Sequence, residues 1–346
     1  MARGIYGPWT DIDLDAPGRR LGTLNVPAAS TRSAYRAIQV PLLVVRGGDG
    51  PTVLLTAGTH GDEYEGQIAL RRLAREIEPE NLAGGVVVMP ALNLPAVVAA
   101  ARLSPLDDGN LNSAYPGRAD GGPTSQIAFF VENELLPRVD AWIDAHSGGS
   151  SLVYLPMAAI HRSEDAKLDA AARAALRAFG APISVEFGLQ HEYASSTAAQ
   201  RHGLVYLYGE FGGGGALGKL GLDTLEAGLV RALRHFGVLH EDQGREVPPP
   251  SGMAFYETVA GSDYAATRKC FAFAPAGGLF EPLRELGEVV ESGSVLGLLH
   301  DVQGIAAAPT KIVAPMSGLL IAKRHPVLTE AGDCLWQVAT PIAIDV

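Results

Sequence analysis

The sequence predicts an α/β fold: a mostly parallel, mixed sheet with helices on both faces, followed by a small all-β module of barrel-like character. Three observations predict it. Apolar runs of strand length alternate with helix-periodic stretches over more than 180 residues, the pattern of parallel strands joined through helices. The alternation stops at Pro248-Pro249-Pro250-Ser251-Gly252, which reads as a linker. Beyond it, short strands are broken by Gly and Pro every few residues and helical periodicity fades. Residues 1–250 and 251–346 are therefore expected to form two domains, in line with the length of 346 residues.

Composition narrows the class. With 47% hydrophobic and 19% charged residues the chain has the make-up of a globular enzyme. A net charge of −11, with no basic block, argues against nucleic acid or an anionic membrane as partner. Residues 1–18 hold no continuous apolar stretch, so no secretory leader is expected. No apolar run approaches the roughly 20 residues of a spanning helix. Cys270 and Cys334 are too few for a disulfide framework, so a cytoplasmic protein is expected, with their pairing left open. A homo-oligomer is expected only from the general frequency of such assemblies.

Taken in order, residues 20–57 read as strands, among them 38–45, the turn 47–50 and the apolar run Val53-Leu54-Leu55. Ile68, Leu70, Leu73 and Ile77 mark the apolar face of a helix over about 63–78. Val86–Pro90 is another buried strand, and a short helix covers 95–101. Residues 102–117 form a long irregular loop carrying Arg, Asp, Asn and Tyr rather than linker residues, which favours a functional loop. A helix over 124–136 ends at Pro137, and 141–146 is a strand. An Ala-rich helix at 163–179, a strand at 182–187, a helix at 194–202, a strand at 205–208 and a helix near 221–236 complete the alternation. In the second part, 287–293 and 314–318 read as successive hairpins of a small barrel resembling a lipoyl- or biotinyl-carrier fold. The turn Met316-Ser317-Gly318 has no lysine to modify, so the module is expected to be structural and to border the active site.

The chemistry gathers at strand ends, where open α/β folds place their ligands. His60 and Glu63 follow the strand at 53–55, three residues apart, so an imidazole and a carboxylate converge as two zinc ligands do. His146 ends its own strand before Ser147-Gly148-Gly149 and supplies a third ligand, leaving a fourth position open. Asp144 shares that strand face and is placed to accept a hydrogen bond from a ligand histidine. Histidines 161, 191, 202, 235, 240, 300 and 325 have no ligand-like context and are expected at the surface or in packing.

Four segments in this order and spacing resemble the succinylglutamate desuccinylase/aspartoacylase family of zinc deacylases, relatives of the metallocarboxypeptidases. They are Gly58–Glu63, Asn110-Leu111-Asn112 with Tyr115-Pro116-Gly117, Asp144–Ser147, and Glu210-Phe211-Gly212-Gly213. The resemblance implies a metallocarboxypeptidase-like catalytic domain holding one Zn²⁺ on His60, Glu63 and His146. It implies Glu210 as general base, with Glu186 in Val185-Glu186-Phe187-Gly188 as its rival, and Arg102 as the group that stabilises the oxyanion. Asn112 and Tyr115 would contact substrate, a small N-acylated amino acid or amine.

One position departs from the family pattern. Ser113 stands where the family carries the arginine of an Asn-Arg clamp, and a neutral hydroxyl cannot replace a bidentate carboxylate grip. Either another arginine reaches in, with Arg118 and Arg201 nearest in sequence, or the substrate is less anionic, for instance one with a second amine. The same departure weakens a carboxypeptidase reading. A non-catalytic ligand-binding member is opposed by retention of the three ligands and Glu210.

Overall fold

Thr52–Ala57 is buried at every residue, so it has no solvent face and must lie inside a sheet covered on both sides. The structure, a computed structural model, describes residues 7–240, 246–248, 252–258 and 268–343. In chain order the first part contains β1 (Trp9–Thr10), β2 (Gly18–Pro27), β3 (Ala37–Arg46), β4 (Thr52–Ala57), α1 (Glu65–Glu76), β5 (Gly85–Met89), α2 (Leu94–Ala99), α3 (Pro123–Phe130) and β6 (Ala141–His146). It continues with β7 (Leu152–Tyr154), β8 (Met157–His161), α4 (Ala166–Phe179), β9 (Ile183–Phe187), α5 (Ser195–Arg201), β10 (Val205–Glu210) and α6 (Lys219–His235). The rest of the chain adds β11 (Ala254–Glu257), β12 (Phe271–Phe273), β13 (Gly278–Pro282), β14 (Val289–Val290), β15 (Val295–His300), β16 (Thr310–Val313), β17 (Gly318–Arg324), β18 (Leu328–Thr329) and β19 (Cys334–Pro341).

The sheet runs β1-β2-β3-β5-β4-β6-β10-β8-β9-β11 and on into β19-β17-β14. It is mixed. β4 lies parallel to both β5 and β6, and β6 parallel to β10, while β8 runs antiparallel to β10. From β4 the chain first goes to β5 on one side, then to β6 on the other. That reversal opens a crevice at the carboxyl ends of β4 and β6, the place where such sheets bind ligands.

Two-residue periodicity sorts the strand side chains into two layers. Val53, Leu55 and Ala57 meet Ala69 and Leu70 of α1, Leu176 of α4 and Leu225 of α6 on one face. Leu54, Trp142 and Tyr206 meet Ile127 of α3 and Ala198 of α5 on the other. Because Trp142 faces the second layer, Asp144 and His146 do too, and Tyr208 and Glu210 follow Tyr206.

The structure departs from the sequence reading at three places. β7 and β8 were not expected: Ala158 and Ala159 are poor strand formers, but β8 is buried between β10 and β9, and packing overrides propensity. The expected helix over 124–136 is α3 followed by a π-helical turn, Val131–Leu135, and a 3₁₀ turn, Leu136–Arg138. Pro137 sits near the start of that last turn, where a missing N–H costs nothing. The segments at 287–293 and 314–318 are not successive hairpins; Val289 pairs with Leu319 and Val290 with Gly318 as one antiparallel contact.

β13, β15, β16 and β18 form a second, antiparallel sheet. It closes over β12, β14, β17 and β19 around Trp336, Leu320, Phe280 and Leu296. This module is joined to the first part through β17, which pairs with β7, and through Leu319 and Ile321, which pack against Met157 and Val185. Of the expected linker, residues 249–251 lie outside the described residues, as does the expected boundary; immediately beyond, β11 pairs parallel with β9 and extends the main sheet. Among the described residues no helix is long and apolar enough to cross a membrane.

Candidate active site

Three strand ends build the site. His60 and Glu63 lie in the turn between β4 and α1, and His146 and Glu210 are register partners that end β6 and β10. His60 Nδ1 lies 2.6 Å from Glu63 Oε1, and His146 Nδ1 lies 2.9 Å from Glu63 Oε2. The opposite ring nitrogens both face acceptors: His60 Nε2 is 3.2 Å from Asn110 Oδ1, and His146 Nε2 is 2.9 Å from Asp144 Oδ2. Those acceptors hold each ring proton on Nε2 and turn the Nδ1 lone pairs towards the carboxylate. Two lone pairs and an anion cannot converge unless positive charge lies among them. One ligand atom from each residue falls within 4.8 Å of the others, and all three residues are buried, so the set fits a metal ion with three protein ligands.

The surrounding charges favour a positive species at the trio, a bound proton or a metal ion alike. Burial opposes the charge on Glu63, but the two imidazoles outweigh it and hold the carboxyl below its ordinary range. Burial likewise opposes charge on His146, yet Asp144 and Glu63 raise it well above the ordinary imidazole value. Asp144, fully buried, is satisfied from all sides. Thr56 Oγ1 donates at 2.6 Å, Thr59 Oγ1 at 3.2 Å and the Tyr206 hydroxyl at 3.2 Å. Glu210 is different: its Oε2 is buried without a hydrogen-bond partner. Burial, and then the nearby charge of Glu63, push its carboxyl up to about 8. Arg102 Nη1 approaches from the solvent side, 3.5 Å from Glu63 Oε1.

Backbone constraints explain the glycines. Gly212, Gly213, Gly214 and Gly215 all have positive φ (+140°, +131°, +70° and +64°), a region other residues avoid. A Cβ on Gly212 would come within 2.5 Å of Glu65 Oε1, and one on Gly213 within 2.2 Å of Leu152 O. The two ligand-bearing loops are strapped together by Asp62, whose Oδ2 accepts from Ser150 N at 2.7 Å and from its hydroxyl at 2.8 Å.

These groups line a cavity of about 190 Å³, below the ~300 Å³ of sites for drug-sized molecules. Larger grooves of about 350 and 500 Å³ elsewhere bring together no comparable set of groups. Of the residues singled out in the sequence, His60, Glu63, Arg102, Asn112, His146 and Glu210 all line the cavity. Tyr115 does not. It is 1% exposed and packs edge-on against Trp142, in the layer beneath the wall. Glu186 is also elsewhere, held by Arg173 at 2.8 Å. Ser113 is exposed, its Oγ 3.4 Å from His191 Nε2. Neither suggested replacement arginine reaches in: Arg118 pairs with Asp120, and Arg201 grips Glu132 at 3.0 and 2.9 Å. Among the described residues Arg102 is the one Lys or Arg in the lining.

Sequence reasoning missed His161, Tyr206, Tyr208 and Ser195, which also line the cavity. His161 stacks on Tyr208 with ring centroids 4.7 Å apart, and burial pushes its pKa down to about 4. The alternate positions 206, 208 and 210 carried the signal, since a polar-tipped residue at each turns the same way as Glu210.

A buried nitrogen-nitrogen-carboxylate trio, at the switch point of an α/β sheet, is a group that could hold a metal ion, and an unpartnered carboxylate stands beside it. Comparison with known proteins places it further. Residues 49–236 match the model of the succinylglutamate desuccinylase/aspartoacylase catalytic domain. The Nα-acetyl-L-2,4-diaminobutyric acid deacetylase of Halomonas elongata is 35% identical over 329 residues, 95% of this chain and 93% of the relative. A succinylglutamate desuccinylase structure from a Silicibacter species superposes with a TM-score of 0.89 at 36% identity, covering 97% of this chain and 98% of the other. The product-bound ectoine-utilisation protein EutE of Ruegeria pomeroyi gives 0.88 at 36% identity, over 97% and 100% of the two chains. The chain belongs to the succinylglutamate desuccinylase/aspartoacylase family.

Proposed function

We propose that the protein is a zinc-dependent deacylase that hydrolyses the amide of a small N-acetylated amino acid bearing a second amine, with Nα-acetyl-L-2,4-diaminobutyrate as the leading substrate. The observation that carries this reading is the convergence of His60 Nδ1, His146 Nδ1 and the Glu63 carboxylate beside Glu210 Oε2, which has no partner. Bound by the trio, Zn²⁺ would supply Lewis-acid polarisation of the scissile carbonyl and acidify water. Glu210 takes the proton of the attacking water and delivers it to the leaving nitrogen. Arg102 donates to the oxygen that gains charge. Asp144 keeps the His146 proton on Nε2, so that Nδ1 stays available as a ligand.

Charge supports the substrate. The lining carries the carboxylates of Glu63 and Glu210 and the single guanidinium of Arg102. With Glu210 deprotonated, the form in which it can act as base, a divalent ion brings that sum to one positive charge, which matches one substrate carboxylate and not two. His161, with its pKa pushed down to about 4, stays neutral. With Tyr206 and Tyr208 it lines the cavity with aromatic rings that carry no positive charge, a setting that tolerates an ammonium group. The deacetylase of Halomonas elongata, by its name, acts on such a substrate. A panel of N-acetylaspartate, N-succinylglutamate, neutral N-acetyl amino acids and Nα-acetyl-2,4-diaminobutyrate tests the reading. The diamino substrate should lead in kcat/KM by at least about tenfold, on the scale set by an unpaired buried charge. Preference for either dicarboxylate would overturn it.

A further inference from the structure

Asn112 and Ser195 both line the cavity, and the contact between them decides which amide atom is left for a ligand. The Ser195 hydroxyl lies 2.5 Å from Asn112 Oδ1. That separation is at the short end of the O–H···O range and below that of N–H···O, so the serine donates to the amide oxygen. Ser195 then has only lone pairs left for Tyr206, whose hydroxyl is 2.9 Å away. The single Tyr206 proton lies between Ser195 Oγ and Asp144 Oδ2, the latter at 3.2 Å. Asp144 in turn accepts from His146 Nε2. Ser195 and Tyr206 are 2% and 5% exposed, so water does not compete for these bonds. Among the described residues Asn112 Nδ2 has no protein acceptor.

We infer that Ser195 is a positioning residue: it fixes the Asn112 amide with its NH₂ towards the cavity, as a donor to the substrate carboxylate. The inference rests on the reading of Asn112 as a substrate contact. It also gives the site a neutral, single-pronged carboxylate grip in place of the arginine fork that Ser113 lacks. Through Tyr206, whose one proton lies between Ser195 and Asp144, the grip and the His146 ligand belong to one run of polar contacts.

Steady-state kinetics on Ser195→Ala, with zinc content and thermal midpoint matched to the parent, test this. The free amide can then turn its oxygen outward. KM for Nα-acetyl-2,4-diaminobutyrate should rise about fivefold, the scale of one lost hydrogen bond, with kcat within about twofold. KM for N-acetyl-1,3-diaminopropane, which has no carboxylate, should not move, and Ser195→Thr should restore the parent value for the acid. An equal rise for both substrates, or none for either, would overturn the inference. Asn112→Ala, run in parallel, separates the layers. If it raises KM for the acid while Ser195→Ala does not, Ser195 has no positioning role. If Asn112→Ala has no effect on KM, the underlying reading of Asn112 fails first.

Discussion

Glu210 and Glu186 show how two similar strings acquire different chemistry. Both are Glu-Phe-Gly, yet Glu186 is held by Arg173 at 2.8 Å, whereas Glu210 faces the cavity with a bare oxygen. Glu210→Gln should keep the fold and any bound zinc while lowering kcat by at least about 100-fold, measured as acetate release. If Glu186→Gln shows that loss instead, the two roles are exchanged. His161 provides a pH test. Burial lowers its pKa from the ordinary 6.5 to about 4, so between those values the unfolded chain binds the extra proton. Its contribution to stability is therefore present above about pH 6.5 and is lost as pH falls towards 4. His161→Phe keeps a ring on Tyr208 without the titration, and its denaturant midpoint should drop less than the parent's between about pH 7 and pH 4.5. Equal drops would mean that His161 titrates as a free imidazole. At this scale His60, Glu63 and His146 were legible because ligand-type residues stood at strand ends beside glycines. Ser195 was not, since nothing in Ala194-Ser195-Ser196 reveals that Asn112 folds back onto it from 83 positions away.

Helix α6 carries an element-scale constraint on Glu210. Its amino end is held by Glu65, whose Oε1 accepts from Gly218 N at 2.9 Å, and Gly221 packs directly on the residue after Glu210. A Cβ on Gly221 would lie 1.6 Å from Phe211 O, a contact with backbone that no rotamer change relieves. Gly221→Ala should therefore destabilise the protein by about 1–3 kcal/mol, as overpacking does, and lower kcat as Phe211 is displaced. Denaturant titration with kinetics on the same sample checks it. Unchanged stability would show that α6 can shift freely, independent of the catalytic strand. The main helices and β4, β5, β6, β9 and β10 were readable because each is long or apolar enough to show its period. β8 was hidden because Ala158 and Ala159 owe their strand conformation to burial between neighbours rather than to propensity. The two-residue strands β14 and β18 are too short to carry any period, so the module's pairing could not be read from its glycines.

On the scale of the molecule, the reversal of strand order at β4 gathers residues from three strand ends into one crevice, and the β module joins the first part through β7 and β17. The alternating half announced this arrangement, since each strand end carried a polar or glycine-rich turn. The cavity's charge was legible only as an omission, the serine at 113, and became an argument once Arg118 and Arg201 were seen paired elsewhere. What the whole assembly is for reduces to whether metal at the His60–Glu63–His146 trio drives deacetylation. The direct measurement is acetate release from Nα-acetyl-L-2,4-diaminobutyrate by protein stripped with a chelator and then reloaded. Stripped protein should be inactive, one equivalent of Zn²⁺ should restore turnover, and His146→Ala should not be restored by the same addition. Turnover that survives stripping, or zinc-loaded protein that releases no acetate, would contradict the account.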